Sequence, residues 1–353
     1  MKNILLFQII FAFIFSACSD FSGNEDAVEA SLKPGPVTQQ QEEEEESVPT
    51  RTYYDLDGIT YGNNTFVAVG ERGVVRTSSD NGSTWDNGTS GTTRQLYEIA
   101  YGDSTFVSVG QSATNLYSSD DGATWSSGTT TETTPYYYGV ANGDNVFAAV
   151  GNVNILRSTD NGSNWTTMTT ANLRDVGFGN STFVACGADG ATYTSANGSS
   201  WTSGTTVTSN LLNGITFGNN IFIAVGASGT LIRSTDNGST FAVRNSQVLT
   251  NLYSIAYGNS KFVAVGSNTV IASSDNTGLT FGIKETNYSF NDVTFGNGVF
   301  VAVVKMKSFT NLQMEIPGQK FIPNNIFQKK SNIIINFTTK RFLQLASITL
   351  LIP

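Results

Sequence analysis

The chain repeats one phrase, first read as Ser78-Ser79-Asp80-Asn81-Gly82-Ser83-Thr84-Trp85. It returns as Ser118 to Trp125, Ser158 to Trp165, Thr194 to Trp201, Ser234 to Phe241 and Ser273 to Phe281, with closing aromatics 40, 40, 36, 40 and 40 residues apart. A period of this size makes each repeat one supersecondary unit that buries its apolar faces only against its neighbours.

The phrase is built for a tight turn. Glycine takes positive φ without steric cost, and Asp or Asn accepts hydrogen bonds from the backbone around it. Gly82, Gly122, Gly162, Gly198, Gly238 and Gly278 hold the turn in all six copies. The acid is Asp80, Asp120, Asp160, Asp236 or Asp275, and Ala196 replaces it in the fourth copy. The aromatics Trp85, Trp125, Trp165, Trp201, Phe241 and Phe281 start the next strand and anchor the turn. The sixth copy carries an extra Thr277, a change that a hairpin tolerates better than a site needing one exact charge. The phrases are therefore read as structural turns, with no metal site expected.

A second phrase precedes each turn. Gly62-Asn63-Asn64-Thr65-Phe66-Val67-Ala68-Val69-Gly70 is the first, and it recurs around Phe106, Phe147, Phe183, Phe222, Phe262 and Phe300. Its short apolar core reads as a strand buried on both faces. Before it stands an alternating strand such as Ile99-Ala100-Tyr101. After it comes a third, such as Leu231-Ile232-Arg233-Ser234, and a Thr-rich fourth follows the aromatic. Four short strands in each repeat make the blade of a β-propeller. The expectation is an all-β propeller of about seven four-stranded blades, six complete and a seventh truncated, over residues 51–303.

The repeated turn resembles the BNR or Asp-box repeat, S-x-D-x-G-x-T-W, of propellers in sialidases, sortilin-type receptors and photosystem assembly factors. The resemblance implies that the box joins the third and fourth strands of a blade, away from the usual ligand face. Functions across this family diverge, so it fixes no activity.

The two ends differ from the repeats. Lys2 followed by the apolar run Leu5 to Phe15 reads as an export signal over residues 1–17. Phe15-Ser16-Ala17-Cys18 resembles the lipobox of bacterial lipoproteins, which implies lipidation of Cys18 and anchoring at a membrane. The expected location is the bacterial cell envelope, at the outer membrane or the cell surface, with the periplasmic side also open. Residues 18–50 carry Pro34, Pro36 and the run Glu42 to Glu46, the composition of an acidic, disordered tether. Cys186 sits where other repeats place Val and reads as a small buried residue.

The seventh repeat breaks off. After Gly296 to Val303 the chain turns rich in Lys, Asn and Ile, and residues 304–353 are basic in an otherwise acidic protein of net charge −9. A shifted codon frame could spell Asp/Asn-Gly-Asp/Asn-Ser/Thr-Trp, with its aromatic at position 318, 37 residues after Phe281. The tail is therefore read as a frameshift product, poorly ordered, leaving ring closure weak.

No catalytic constellation emerges. The chain has no His, which removes imidazole catalysis and His metal sites. An acidic body argues against nucleic acid as partner. A sialidase-like site would need converging arginines, but Arg157 and Arg233 share one repeat position beside their boxes and Arg76 lies one residue earlier. The other acids show no paired spacing of the kind glycosidases use. Tyr136-Tyr137-Tyr138 is an aromatic cluster able to stack on a sugar or peptide, or a plain strand opening. The expected function is a non-enzymatic envelope lipoprotein that serves as a binding or assembly scaffold for a protein or glycan. No cofactor is expected, the oligomeric state stays open, and the alternative is a sialidase-like enzyme.

Overall fold

A computed structural model of the chain describes residues 54–273, 275–286 and 288–305, and the backbone of Ile334–Phe337. The expected leader, Cys18 and the tether lie outside the described residues, as does most of the tail.

Six sheets repeat one plan. In the first, Leu56–Gly62, Thr65–Gly70, Val74–Ser78 and Asp86–Thr89 lie side by side in chain order, each antiparallel to the last. Five further four-stranded sheets follow in the same order. The second strand is buried along its whole length in the first sheet, as its continuous apolar run requires. The fourth strands are shorter than the Thr-rich segments, only Ser126–Ser127 in the second sheet. Those segments hold few apolar residues and have only an outer edge to pair with.

The innermost strands pack in a closed ring, each beside the next, and Ser289–Gly296 packs beside Leu56–Gly62. Glycines allow this close approach. A Cβ on Gly62 would lie 2.0 Å from the Tyr101 ring of the next sheet, and one on Gly179 would lie 2.0 Å from Phe217. The same lock closes the ring, where a Cβ on Gly296 would lie 2.1 Å from Tyr61. At Gly102 the neighbour is Asn142 in place of a ring. These are the glycines that open the second recurring phrase.

The seventh sheet differs from the expected truncated blade. Among the described residues it has three strands, Ser289–Gly296, Val299–Lys305 and Ile334–Phe337. The last of these comes from the tail and pairs Phe337 opposite Phe300, the register Ser78 takes opposite Phe66 in the first sheet. The first and last innermost strands meet at a hydrogen-bonded seam. Closure runs through the innermost strand, where Ile59 N donates to Asp292 Oδ2 at 2.7 Å and Asn291 Nδ2 donates to Leu56 O at 2.9 Å. Neither contact involves the outer half of the seventh sheet.

The boxes and the first turns share one face of the ring. Asn63 Nδ2 donates to Asp121 Oδ1 in the next box at 2.8 Å, and Asn297 Nδ2 donates to Asn81 Oδ1 at 2.8 Å. Because strands alternate in direction, the starts of the innermost strands lie at the opposite face, together with the turns after each second strand.

Candidate functional site

Each box carboxylate is engaged within its own turn. Asp80 Oδ1 accepts from Ser78 Oγ at 2.8 Å and from Thr84 N at 2.9 Å, while Oδ2 accepts from Thr84 Oγ1 at 2.7 Å. The Thr84 hydroxyl and amide hold the Asp80 carboxyl down at about 2. Trp85 Nε1 donates to Gly82 O at 3.1 Å, which ties the aromatic to the turn. The pattern recurs at Asp120, Asp160 and Asp236. In the fourth copy Asn197 Oδ1 takes over, accepting from Ser199 N at 3.0 Å. In the sixth, Asp275 Oδ1 accepts from Thr277 N at 2.8 Å, so the added residue is absorbed inside the turn.

The box glycines face the preceding sheet. Gly122 has φ +84° and would place a Cβ 3.1 Å from Thr77 Cγ2. Gly238, at φ +78°, would place one 2.6 Å from Val184 Cγ2. Trp165, Phe241 and Phe281 are buried, and Trp125 and Trp201 pack half-buried against the clusters formed with the preceding sheets. The boxes are thus inter-blade wedges as well as turns.

The three arginines do not converge. Arg157 Nε donates to Asn197 O at 2.9 Å and Arg233 Nε to Thr277 O at 2.7 Å, each reaching the box of the next sheet. Arg76 Nη1 donates to Val75 O at 2.8 Å. Cys186 is fully buried in an apolar cluster with Phe222 and Ile232.

A set of carboxylates that sequence reasoning missed lies at the ring axis. Glu98 and Asp175 are the third residues of their innermost strands, and Asp292 holds the equivalent place as the fourth residue of Ser289–Gly296. An innermost strand is an edge strand, so its outward amides lack ladder partners. The acids supply them. Asp175 Oδ1 accepts from Val176 N at 2.7 Å and Oδ2 from Ile215 N of the next sheet at 2.8 Å. Asp292 does the same between Val293 N and Ile59 N, and Ser254 Oγ also donates to it. Glu98 Oε1 accepts from Ile99 N at 2.8 Å.

Burial lifts all three. Surrounding protein pushes Asp175 up to about 7 and Asp292 up to about 6, against the pull of the amides. Glu98 rises well above the carboxylate range through burial, helped by the charges of Asp292 and Asp175. Glycines fill alternate places in this layer: a Cβ on Gly58 would lie 2.8 Å from Glu98 Cα, and one on Gly139 2.7 Å from Asp175 Cα. The signal was present in the aligned strand openings Leu96-Tyr97-Glu98, Leu173-Arg174-Asp175 and Phe290-Asn291-Asp292. Among the described residues no group of three or more His, Cys, Asp or Glu is arranged to hold a metal ion.

The tyrosine run splits as strand alternation requires. Tyr137 is fully buried and its hydroxyl donates to Asn154 Oδ1 at 2.6 Å. Tyr136 and Tyr138 are half-buried on the other side, nearly parallel at 8° with centroids 6.5 Å apart. Tyr97 of the preceding sheet lies 5.3 Å from Tyr138 and 6.3 Å from Tyr136, tilted to both. The Arg174 guanidinium of the following sheet lies 4.2 Å from the Tyr138 ring centroid. This cluster stands where the innermost strands begin, opposite the boxes.

Solved structures share this architecture. YCF48 from Cyanidioschyzon merolae aligns with TM-score 0.58 and 19% identity, over 73% of this chain and 94% of that one. The fold is a β-propeller. YCF48 bound to D1 peptide aligns with TM-score 0.59 and 17% identity, over 71% of this propeller and 89% of that chain. The WD40 β-propeller domain of Doa1 aligns with TM-score 0.58 and 15% identity, over 70% and 89%. The propeller matches no protein-family model and no curated protein sequence.

Proposed function

We propose that this protein is a non-enzymatic binding or assembly module of the bacterial cell envelope. A lipid on Cys18 and the acidic segment 18–50 tether it, and an Asp-box propeller of BNR type presents the partner-binding face. The partner is a protein segment held where the innermost strands begin. The observation that carries this reading is the half-buried cluster of Tyr97, Tyr136, Tyr138 and Arg174 on the face opposite the boxes. Aromatic and arginine side chains are the groups that anchor protein interfaces, and loops of all blades converge on such a face. The similar fold of YCF48 bound to D1 peptide supports a protein ligand over a sugar. Arg157 and Arg233 are committed to neighbouring boxes, which weighs against the sialidase-like alternative.

A photo-cross-linking residue placed at Tyr136 tests the reading in intact cells, with one at Asn237 on the box face as comparison. Discrete protein adducts from position 136 and none from 237 are expected. Adducts from neither position, or the same adducts from both, would refute it.

A further inference from the structure

We propose that the tyrosine cluster at the mouth of the ring is a receptor for a cationic side chain, the guanidinium or ammonium group of an Arg or Lys in an extended partner segment. The inference rests on the partner-binding reading above and specifies the chemistry of the partner.

Geometry is the first ground. Tyr136 and Tyr138 stand as two nearly parallel walls with centroids 6.5 Å apart, and Tyr97 closes a third side at a tilt. Three tyrosine rings gathered at one place offer π faces, and such faces attract cations through their ring quadrupoles. The cluster already receives a cation from outside: Arg174 lies 4.2 Å over Tyr138, from the sheet on the far side of Tyr97. That contact establishes that the Tyr138 ring accepts a guanidinium in this setting.

Charge is the second ground and selects cations over sugars and acidic segments. The two aligned positions at the openings of the seven innermost strands, Asp57-Gly58 in the first and Asn291-Asp292 in the last, carry four acids, Asp57, Glu98, Asp175 and Asp292, against one base, Arg174. Asp57 lies close to the cluster, since its charge acts on Tyr97 and its Oδ2 accepts from Gln95 Nε2 at 2.7 Å. Burial leaves Glu98 and part of Asp175 protonated at neutral pH, so Asp57 is the carboxylate whose charge acts beside the cluster. A cation entering the cluster therefore meets the negative charge of Asp57.

The test uses the full chain and four fluorescein-labelled probes: a Gly-Arg-Gly-Arg-Gly amide, its Lys and Glu counterparts, and chitotetraose. Anisotropy titrations should give the basic peptides the tighter binding, weakened by added salt. Tyr138→Phe, which keeps the ring, should bind as the parent does. Tyr136→Leu with Tyr97→Leu should weaken binding by about tenfold, the size of one partly desolvated cation–π contact. Asp57→Asn should weaken it too, while the Asn291 bond to Leu56 O and the Ile59 bond to Asp292 still span the seam. Preference for the Glu peptide or for chitotetraose would overturn the inference. So would failure of every probe while position 136 still cross-links a protein, an outcome that leaves the binding face standing. Failure of both the probes and the cross-link would sink the two readings together.

Discussion

Asp292 and Ile59 stand 233 residues apart in the chain, and Asp292 Oδ2 accepts the Ile59 amide hydrogen at 2.7 Å. One side chain thereby joins the last innermost strand to the first. The same carboxylate accepts from Val293 N at 2.7 Å, so it bridges two edge strands. Asp175 repeats the device between the fourth and fifth sheets.

Replacing this bridge should loosen the closure. Asp292→Ala strands two buried amides and the Ser254 hydroxyl, offset in part by removal of a buried carboxyl, for a loss of about 2 kcal/mol. Asp292→Asn keeps one acceptor and should lose less. Urea unfolding of the two variants measures the difference, and equal stability of Asp292→Ala and the parent would contradict a closing role.

The axial acids also set a pH dependence. Their folded values lie above the ordinary 3.8 of Asp, at about 7 for Asp175 and about 6 for Asp292. The folded state therefore holds more protons, and this contribution is complete below the unfolded value and is lost as pH rises through about 6 to 7. Box acids act in the opposite sense. Asp80 is held at about 2, so its contribution is present above 3.8 and is lost as pH falls toward 2. Thermal melts should show greatest stability at mildly acidic pH, with decline on both sides. Asp175→Asn should flatten the neutral limb and leave the acid limb unchanged.

The boxes should behave as turns without metal. Asp80→Ala removes the acceptor of Ser78 Oγ, Thr84 N and Thr84 Oγ1 and should cost about 1 kcal/mol, as loss of a capping side chain does. Calcium or a chelator should leave the melting temperature unchanged. A rise with calcium that Asp80→Ala abolishes would assign the box a ligand role instead.

The repeat period and the Gly-Asn turns made the propeller legible, because each blade satisfies its own turns with residues close in sequence. Glu98, Asp175 and Asp292 were not legible as a set, since their partners lie one blade away and only the closed ring brings them together. Tyr136 and Tyr138 were visible as aromatics. Their separation from Tyr137 followed from strand alternation, but the approach of Tyr97 and Arg174 depended on how neighbouring blades meet. The outer strand Ile334–Phe337 carries no repeat signature, and its place in the seventh sheet could not be read from pattern at all.

A methyl group at the closing glycine should report on the same seam from the other side. Gly296→Ala would press a Cβ to 2.1 Å from the Tyr61 ring, which itself packs 4.6 Å from Phe66. Overpacking of this kind costs roughly 1 to 3 kcal/mol. Gly298→Ala, where no atom lies within 4 Å but φ is +81°, separates backbone strain from the clash. The Gly296 variant should be the less stable of the two in the same melt.

Closure through inner strands predicts what the tail contributes. A chain ending at Lys305 keeps Asp292 on Ile59, Asn291 on Leu56 and Gly296 against Tyr61. It loses the partner of Val299–Lys305 and exposes a strand edge, a surface prone to pairing between chains. The shortened chain should remain folded, melt at a lower temperature and associate more readily in size-exclusion chromatography. The nucleotide sequence across codons 296 to 321 adds a sharper arm. If its shifted frame encodes Gly after Val303 and then an Asp/Asn-Gly-x-Ser/Thr-Trp box, the chain carrying that frame should regain a four-stranded seventh sheet. It should then melt above the present chain, because a box would wedge against the preceding sheet as the other boxes do. A repaired chain that melts no higher would show that the tail already serves the seventh sheet.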